Sequence, residues 1–156
     1  MQNIKIDKVD RAILHELQLD GKLTNARLAE RVHLSESACL RRVKILEEAG
    51  VIERYAMIVN QAAVGIPGNV FVEITLSRQQ REDLDIFEES VRQVPEVMEC
   101  YLMSGDFDYL LRIVVVDAAD YERIHHESLT RLPGVTRVRS SFTLRTVAKR
   151  TEIPLR

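Results

Sequence analysis

Apolar positions recur along this chain in two different rhythms. Through residues 7–60 the spacing is helical for most of the length. Val9, Ile13 and Leu17 stand at i, i+4 and i+8, with Leu14 widening the stripe. Asp7 can cap the start and Gly21 follows the end. A second short helix follows Thr24, with Leu28, Ala29 and Val32 inward, and His33-Leu34 makes a brief turn. Ser35 caps a third helix over 36–49, whose inner row is Cys39, Val43 and Leu46 with Leu40 alongside. Gly50 suits the residue after that helix, and apolar Val51 suits a Schellman ending. Residues 54–60, RYAMIVN, read as a strand, and NQAAVGIPG, 60–68, reads as a linker.

Beyond the linker the period changes to two. Residues 69–76 predict a strand. Residues 81–94 predict an amphipathic helix with Leu84, Phe87 and Val91 inward, stopped by Pro95. Strands over 97–103 and 108–116 flank Ser-Gly-Asp-Phe, a hairpin signal. Asp117 caps another helix, with Tyr121, Ile124 and Leu129 inward, and Pro133-Gly134 ends it before a last strand over 135–147. The order βαββαβ is the ferredoxin-like arrangement, so the fold class is α+β. The strand after the hairpin is apolar on both faces apart from Arg112. An antiparallel sheet with one wet face alternates instead, so a second copy is expected to cover that face as a homodimer.

Three short helices with a tight turn before the third make a helix-turn-helix pattern. Ser37, Arg41, Arg42 and Lys44 lie on the outward side of the third helix, and Arg27 and Arg31 lie on the second. Small residues such as Ser37 and Ala38 permit close approach to a major groove, and arginine pairs with guanine or phosphate. The same row is also what a solvated face of a protein-docking bundle looks like.

Composition narrows the partners. The 156 residues carry a net charge of −2, and 46% are hydrophobic. Residues 1–60 hold 10 basic and 9 acidic side chains, and the rest hold 12 and 15. This weak asymmetry argues against a bulk-electrostatic nucleic-acid binder of high pI, so DNA contact has to come from a local basic patch. No apolar run nears the ~20 residues that span a bilayer, and the charged N-terminus lacks a signal-peptide core. No membrane partner and a cytoplasmic location are expected. Cys39 and Cys100 lack metal-type spacing and read as buried free thiols.

The stretch SGDFDYLLR, 104–112, leaves four readings open: a metal site, acid–base chemistry, a small-ligand site or a turn. Two acids at i, i+2 without further convergent ligands make a poor metal site. Nothing nearby supplies the cleft an acid–base pair needs. Glu122 and His126, one turn apart, are a possible metal pair, but an exposed helix face is the plainer reading. Ser104 and Ser128 have no credible nucleophile context, and no catalytic and no metal site is assigned.

The stretches DKVDRAILHELQLDGKLTNARLAERVHLS, ACLRRVKILEEAGVI, VFVEITL, SGDFDYLLR and RLPGV together resemble the Lrp/AsnC, or feast/famine, family of transcription regulators. The match runs over roughly residues 6–148 and is closest to the leucine-responsive branch. The resemblance implies a winged-type helix-turn-helix domain at 1–53, a connecting strand and linker at 54–68, an effector-binding and oligomerising βαββαβ domain at 69–148, and a tail at 149–156. It implies a non-enzymatic, sequence-specific regulator of double-stranded DNA, with no cofactor beyond a small amino-acid effector such as leucine or another apolar one. It also implies dimers that assemble into octamers. The helix-turn-helix corresponds to Asn25 through Lys44, giving Asn25, Arg27, Arg31, Ser35, Ser37, Ala38, Arg41, Arg42 and Lys44 as DNA-binding candidates. The effector site falls near the Gly-Asp-x-Asp loop, giving Leu102, Met103, Gly105, Asp106, Asp108 and, on the last strand, Phe142. Departures are His33, where the family often has glycine, and Val59-Asn60-Gln61, which replaces a commoner proline-containing hinge. A ferredoxin-like unit also occurs in amino-acid-binding regulatory subunits that dock on enzymes, which is the competing reading.

Overall fold

The computed structural model describes residues 5–155. They form two compact units, residues 5–58 together with 147–155, and Val59–Thr146.

The first unit holds α1 (Lys8–Leu19), α2 (Asn25–Arg31) and α3 (Glu36–Glu48). Each start is satisfied by a side chain. The Asp7 carboxylate accepts from the Val9 and Asp10 amides, both at 2.8 Å, and Asp10 returns the favour to the Asp7 amide at 3.1 Å. Thr24 and Ser35 cap α2 and α3 through the Arg27 and Ala38 amides. Ile13, Leu14, Leu28, Ala29, Cys39 and Leu46 are the buried core, with Val9, Leu17, Val32 and Val43 packed on its edge. Leu40, one residue round the helix from Cys39, points outward and is 45% exposed, so it does not extend the inner row.

Both helix endings that matter are left-handed. Gly50 has φ 72°, and the Gly50 and Val51 amides donate to the Glu47 and Leu46 carbonyls at 2.9 Å, the Schellman pattern. His33 has φ 54°, and the His33 and Leu34 amides close the same pattern on Glu30 and Ala29. This turn sets the angle between α2 and α3 while a Cβ-bearing residue occupies a conformation that favours glycine.

The strand expected over 54–60 does not form among the described residues. Its composition suits a strand, but no sheet edge of the first unit is there to pair it. Tyr55 instead donates its hydroxyl to Glu47 at 2.9 Å, while Met57 and Ile58 stay 82% and 67% exposed.

The second unit holds β1 (Gly68–Leu76), α4 (Arg81–Val91), β2 (Val97–Leu102), β3 (Tyr109–Val115), α5 (Ala118–Glu127), a 3-10 turn at Leu129–Arg131, and β4 (Val135–Phe142). The sheet order is β2-β3-β1-β4 and every pair is antiparallel. Gly68 opens β1 instead of closing the linker. A Cβ there would sit 2.5 Å from Val115 Cγ2 and 2.9 Å from the Val115 carbonyl oxygen, so only glycine lets these strands meet. The last strand stops at Phe142, short of the expected Val147. Its partner β1 runs out there: Phe142 pairs with Val70, and Thr143 makes one more bond to Asn69.

Alternate residues of the two central strands point into one core. Val70, Val72 and Ile74 of β1, with Leu111 and Ile113 of β3, are 0% exposed and pack on Phe87 and Val91 of α4 and Tyr121 and Ile124 of α5. Burying each such aliphatic side chain contributes about 1.5–3 kcal/mol. The helices cover only this face of the sheet.

Candidate functional site

The α3 surface sorts its polar residues into two groups. Ser37, Arg41 and Lys44 stand at i, i+4 and i+7, so they share one face, and all are exposed. Among the described residues, no acidic side chain lies within ion-pair distance of Arg41, Lys44 or Arg27. Arg42 is one residue round and is held instead. Its Nη1 donates to Asp10 at 2.7 Å and to Asp7 at 2.9 Å, and its side chain is 29% exposed. These contacts raise the Arg42 pKa, and the Asp10 amide, aided by Arg42, holds the Asp7 carboxyl below its ordinary value. Arg42 thus ties α3 to the start of α1. Arg31 is paired with Glu16 at 2.7 Å at the exposed surface.

Asn25 bridges the two helix starts. Its Nδ2 donates to the Glu36 carbonyl at 2.9 Å, while its buried Oδ1 has no hydrogen-bond partner among the described residues. Ser35 is committed to capping, and half-buried Ala38 leaves the first turn of α3 shallow. Of the nine residues expected here, Arg27, Ser37, Arg41 and Lys44 are exposed and uncommitted to ion pairs. Asn25, Ser35 and Arg42 hold the helices in place.

The loop joining β2 to β3 is built around Asp108, which is only 6% exposed. Its Oδ2 accepts from the Leu76 amide and its Oδ1 from Gln79 Nε2, both at 2.6 Å. Its own amide and carbonyl bond Ile74 and Met103. Three of these bonds fix the loop to the end of β1 and the segment just after it, and the fourth, from Met103, closes the loop on itself. No cationic side chain among the described residues pairs with this carboxylate. Gly105, φ 146°, sits at the exposed apex, and a Cβ there would meet nothing within 4 Å. Asp106 is exposed, and Leu102 and Met103 expose 58% and 38% of their surface beside it.

Phe142 is not part of this cluster within one chain. It pairs with Val70 on the far edge strand, whereas the loop abuts Ile74 and Leu76, roughly 13 Å further along β1. There its ring packs edge-on against Tyr121, centroids 5.1 Å apart. Gln79, which sequence reasoning missed, carries no spacing signal, since its role depends on a register between strands 29 residues apart.

The uncovered sheet face carries Phe71, Leu110, Val114 and Arg112. Phe71 is 40% exposed, and Arg112 is held by Glu99 at 2.8 Å and Asn69 at 2.9 Å. Cys39 is buried as expected, but Cys100 is exposed, because β2 is an edge strand. Its thiol is still enclosed enough that burial, then Glu88, pushes its pKa up to about 11. This is a poor nucleophile. Among the described residues no group of His, Cys, Asp and Glu could hold a metal, and no helix is long and apolar enough to cross a membrane. His125 packs near Tyr121, and His126 against His125.

Comparison with known proteins matches the same two parts. Residues 6–53 fit the winged helix-turn-helix DNA-binding model and residues 69–153 the Lrp/AsnC ligand binding domain. The leucine-responsive regulatory protein of Escherichia coli K12 is 42% identical over 142 residues, spanning 91% of this chain and 87% of its own length. A transcriptional regulator of Neisseria meningitidis, solved as an L-Met complex, superposes with a TM-score of 0.91 at 37% identity, covering 96% of this chain and 97% of its own. A feast or famine regulatory protein of M. tuberculosis, complexed with L-methionine, gives 0.86 at 32% identity, covering 96% and 99%. These relatives are regulators and not enzymes. With a helix-turn-helix presenting an exposed cationic row and a four-stranded α+β domain following it in the chain, the chain belongs to the Lrp/AsnC family of DNA-binding transcription regulators.

Proposed function

We propose that this chain is a sequence-specific DNA-binding regulator, acting in the cytoplasm, whose assembly or DNA affinity responds to a small apolar amino acid. The observation that carries the reading is the row Ser37, Arg41 and Lys44 on α3, exposed and without an acidic ion-pair partner among the described residues. It enters the major groove, with Arg27 and Arg31 near the phosphates, while Asn25, Ser35 and Arg42 hold the helix that presents it. The Arg31–Glu16 pair is exposed and weak enough to open on a phosphate.

The effector sits at the 102–108 loop. Asp108 is a buried carboxylate with two hydrogen bonds used and no counter-cation, so it draws an α-ammonium group. Backbone N–H groups around Gly105 and Asp106 receive the carboxylate. Leu102 and Met103 provide the apolar wall. Leucine and methionine are the leading ligands, from the relatives named above. Phe142 joins such a pocket only from another copy. The uncovered sheet face with Phe71, Leu110 and Val114 supports a homodimer, and the exposed loop supports further assembly, to an octamer in the family pattern. The ligand acts through unequal affinity for assembly states.

A thermal-shift panel of the intact protein against the twenty amino acids tests the ligand half. At about 100 times its dissociation constant, an effector adds ~2.7 kcal/mol. For this chain length that amounts to several degrees, at ~2–4 °C per kcal/mol. No shift from any apolar amino acid removes it from the reading.

A further inference from the structure

The chain enters the helical unit twice: once through its helices, and again after Thr146, when residues 147–155 return to it. Among the described residues, Ile153 hydrogen-bonds this return to α1. The Ile153 amide donates to Gln18 Oε1 at 2.7 Å, and Gln18 Nε2 donates to the Ile153 carbonyl at 3.2 Å. Ala12, His15 and Leu19 of α1 line one groove with Ile153, Pro154 and Leu155.

The sequence explains this grip. Pro154 disfavours helical backbone at Ile153 and pushes it to an extended form. An extended residue turns its N–H and C=O to the same side, as in a strand that exchanges both bonds with one neighbour. A glutamine carboxamide carries one acceptor and two donors on one plane, so Gln18 imitates that neighbour. Ala12 and Leu19 are seven apart on the outer side of α1. An exposed Leu19 there has no role in the helical core, whose members are on the other side. Ile153 remains 69% exposed and Leu155 38%, so the contact is shared between the Gln18 hydrogen bonds and the partial burial of Leu155.

We propose that residues 149–155 are a strap whose docking site is the outer face of α1, gripped by Gln18. A docked strap gives the helical unit a second tether to the sheet unit, beside the direct connection at residues 58–59. The tether narrows the range of half-site spacings the paired recognition helices can meet. This last consequence rests on the DNA-binding reading above; the docking does not.

The test uses the full chain and its Gln18→Ala and Gln18→Glu variants. Gln18 is on a helix surface, where alanine is well tolerated. Hydrogen exchange at the Ile153 amide is expected to quicken at least roughly five- to tenfold in Gln18→Ala, which removes both bonds to Ile153, including the acceptor of this amide. Gln18→Glu keeps the acceptor and loses the donor, so it falls between. Equal exchange in wild type and Gln18→Ala overturns the strap. On duplexes whose half-sites are moved apart from the preferred spacing, Gln18→Ala is expected to lose less affinity than wild type. The same spacing preference in both overturns the tethering role. Slowed Ile153 exchange in a protein that binds no duplex would sink the DNA reading and leave the strap standing.

Discussion

The outer face of α3 and the loop between β2 and β3 make an instructive pair. The α3 face is local: one helix of 13 residues, with side chains projected by spacing alone. The loop is non-local: its key carboxylate is fixed by Leu76 and Gln79, about thirty residues earlier in the chain. Both carry charge, in different surroundings. In the first, the cations Arg41 and Lys44 stand in water. In the second, Asp108 is buried and structural before it meets any ligand. A local surface can lose a residue and keep its fold, whereas a non-local one cannot.

The strongest way to break that contrast is Asp108→Ala. It removes two 2.6 Å hydrogen bonds and leaves the Leu76 amide without its acceptor, so the sheet unit should lose about 3 kcal/mol. The Arg41→Ala, Lys44→Ala double variant should leave the melting temperature unchanged and weaken duplex binding, with a shallower salt dependence. Equal stability of both variants in a denaturant titration would contradict the distinction. Gly68→Ala comes next. The added methyl meets Val115 at 2.5 Å, and the strain should cost about 2 kcal/mol in the same titration.

Smaller effects sharpen the local side. His33→Gly relieves a left-handed residue at φ 54° and should stabilise the helical unit by about 1 kcal/mol, read as a raised melting temperature. The Asp7 carboxyl is held below its ordinary 3.8, first by the Asp10 amide. A depressed folded value stabilises the fold above pH 3.8 and loses that contribution as pH falls through the folded pKa. Asp7→Asn keeps a good cap and removes the charge, so melting measured from pH 5 downward should fall less steeply than in wild type.

The same contrast explains what the sequence disclosed. Caps at Asp7 and Ser35, the helix start after Thr24, the turn at His33 and the ending at Gly50 follow from local backbone chemistry, and all were legible. So was the βαββαβ order, because period-two and period-3.6 runs differ. RYAMIVN was misread because strand propensity is local but a strand needs an edge to pair with. Arg42 looked like a reading residue because spacing cannot show that Asp7 and Asp10, over thirty residues earlier, would claim it. Cys100 looked buried because β2 reads as apolar, and only the strand order puts it on an edge. Phe142 was carried to the loop by resemblance, and the register places it at the opposite corner of the sheet.

The most direct measurement is a fluorescence-anisotropy titration of the intact protein onto a duplex carrying two half-sites, with and without saturating L-leucine or L-methionine. A coupling of ~1–3 kcal/mol predicts a midpoint moved by ~5–150-fold with one of them. Superimposable curves, with tight binding in both, would leave a DNA-binding protein whose buried Asp108 serves the fold alone and would contradict the account.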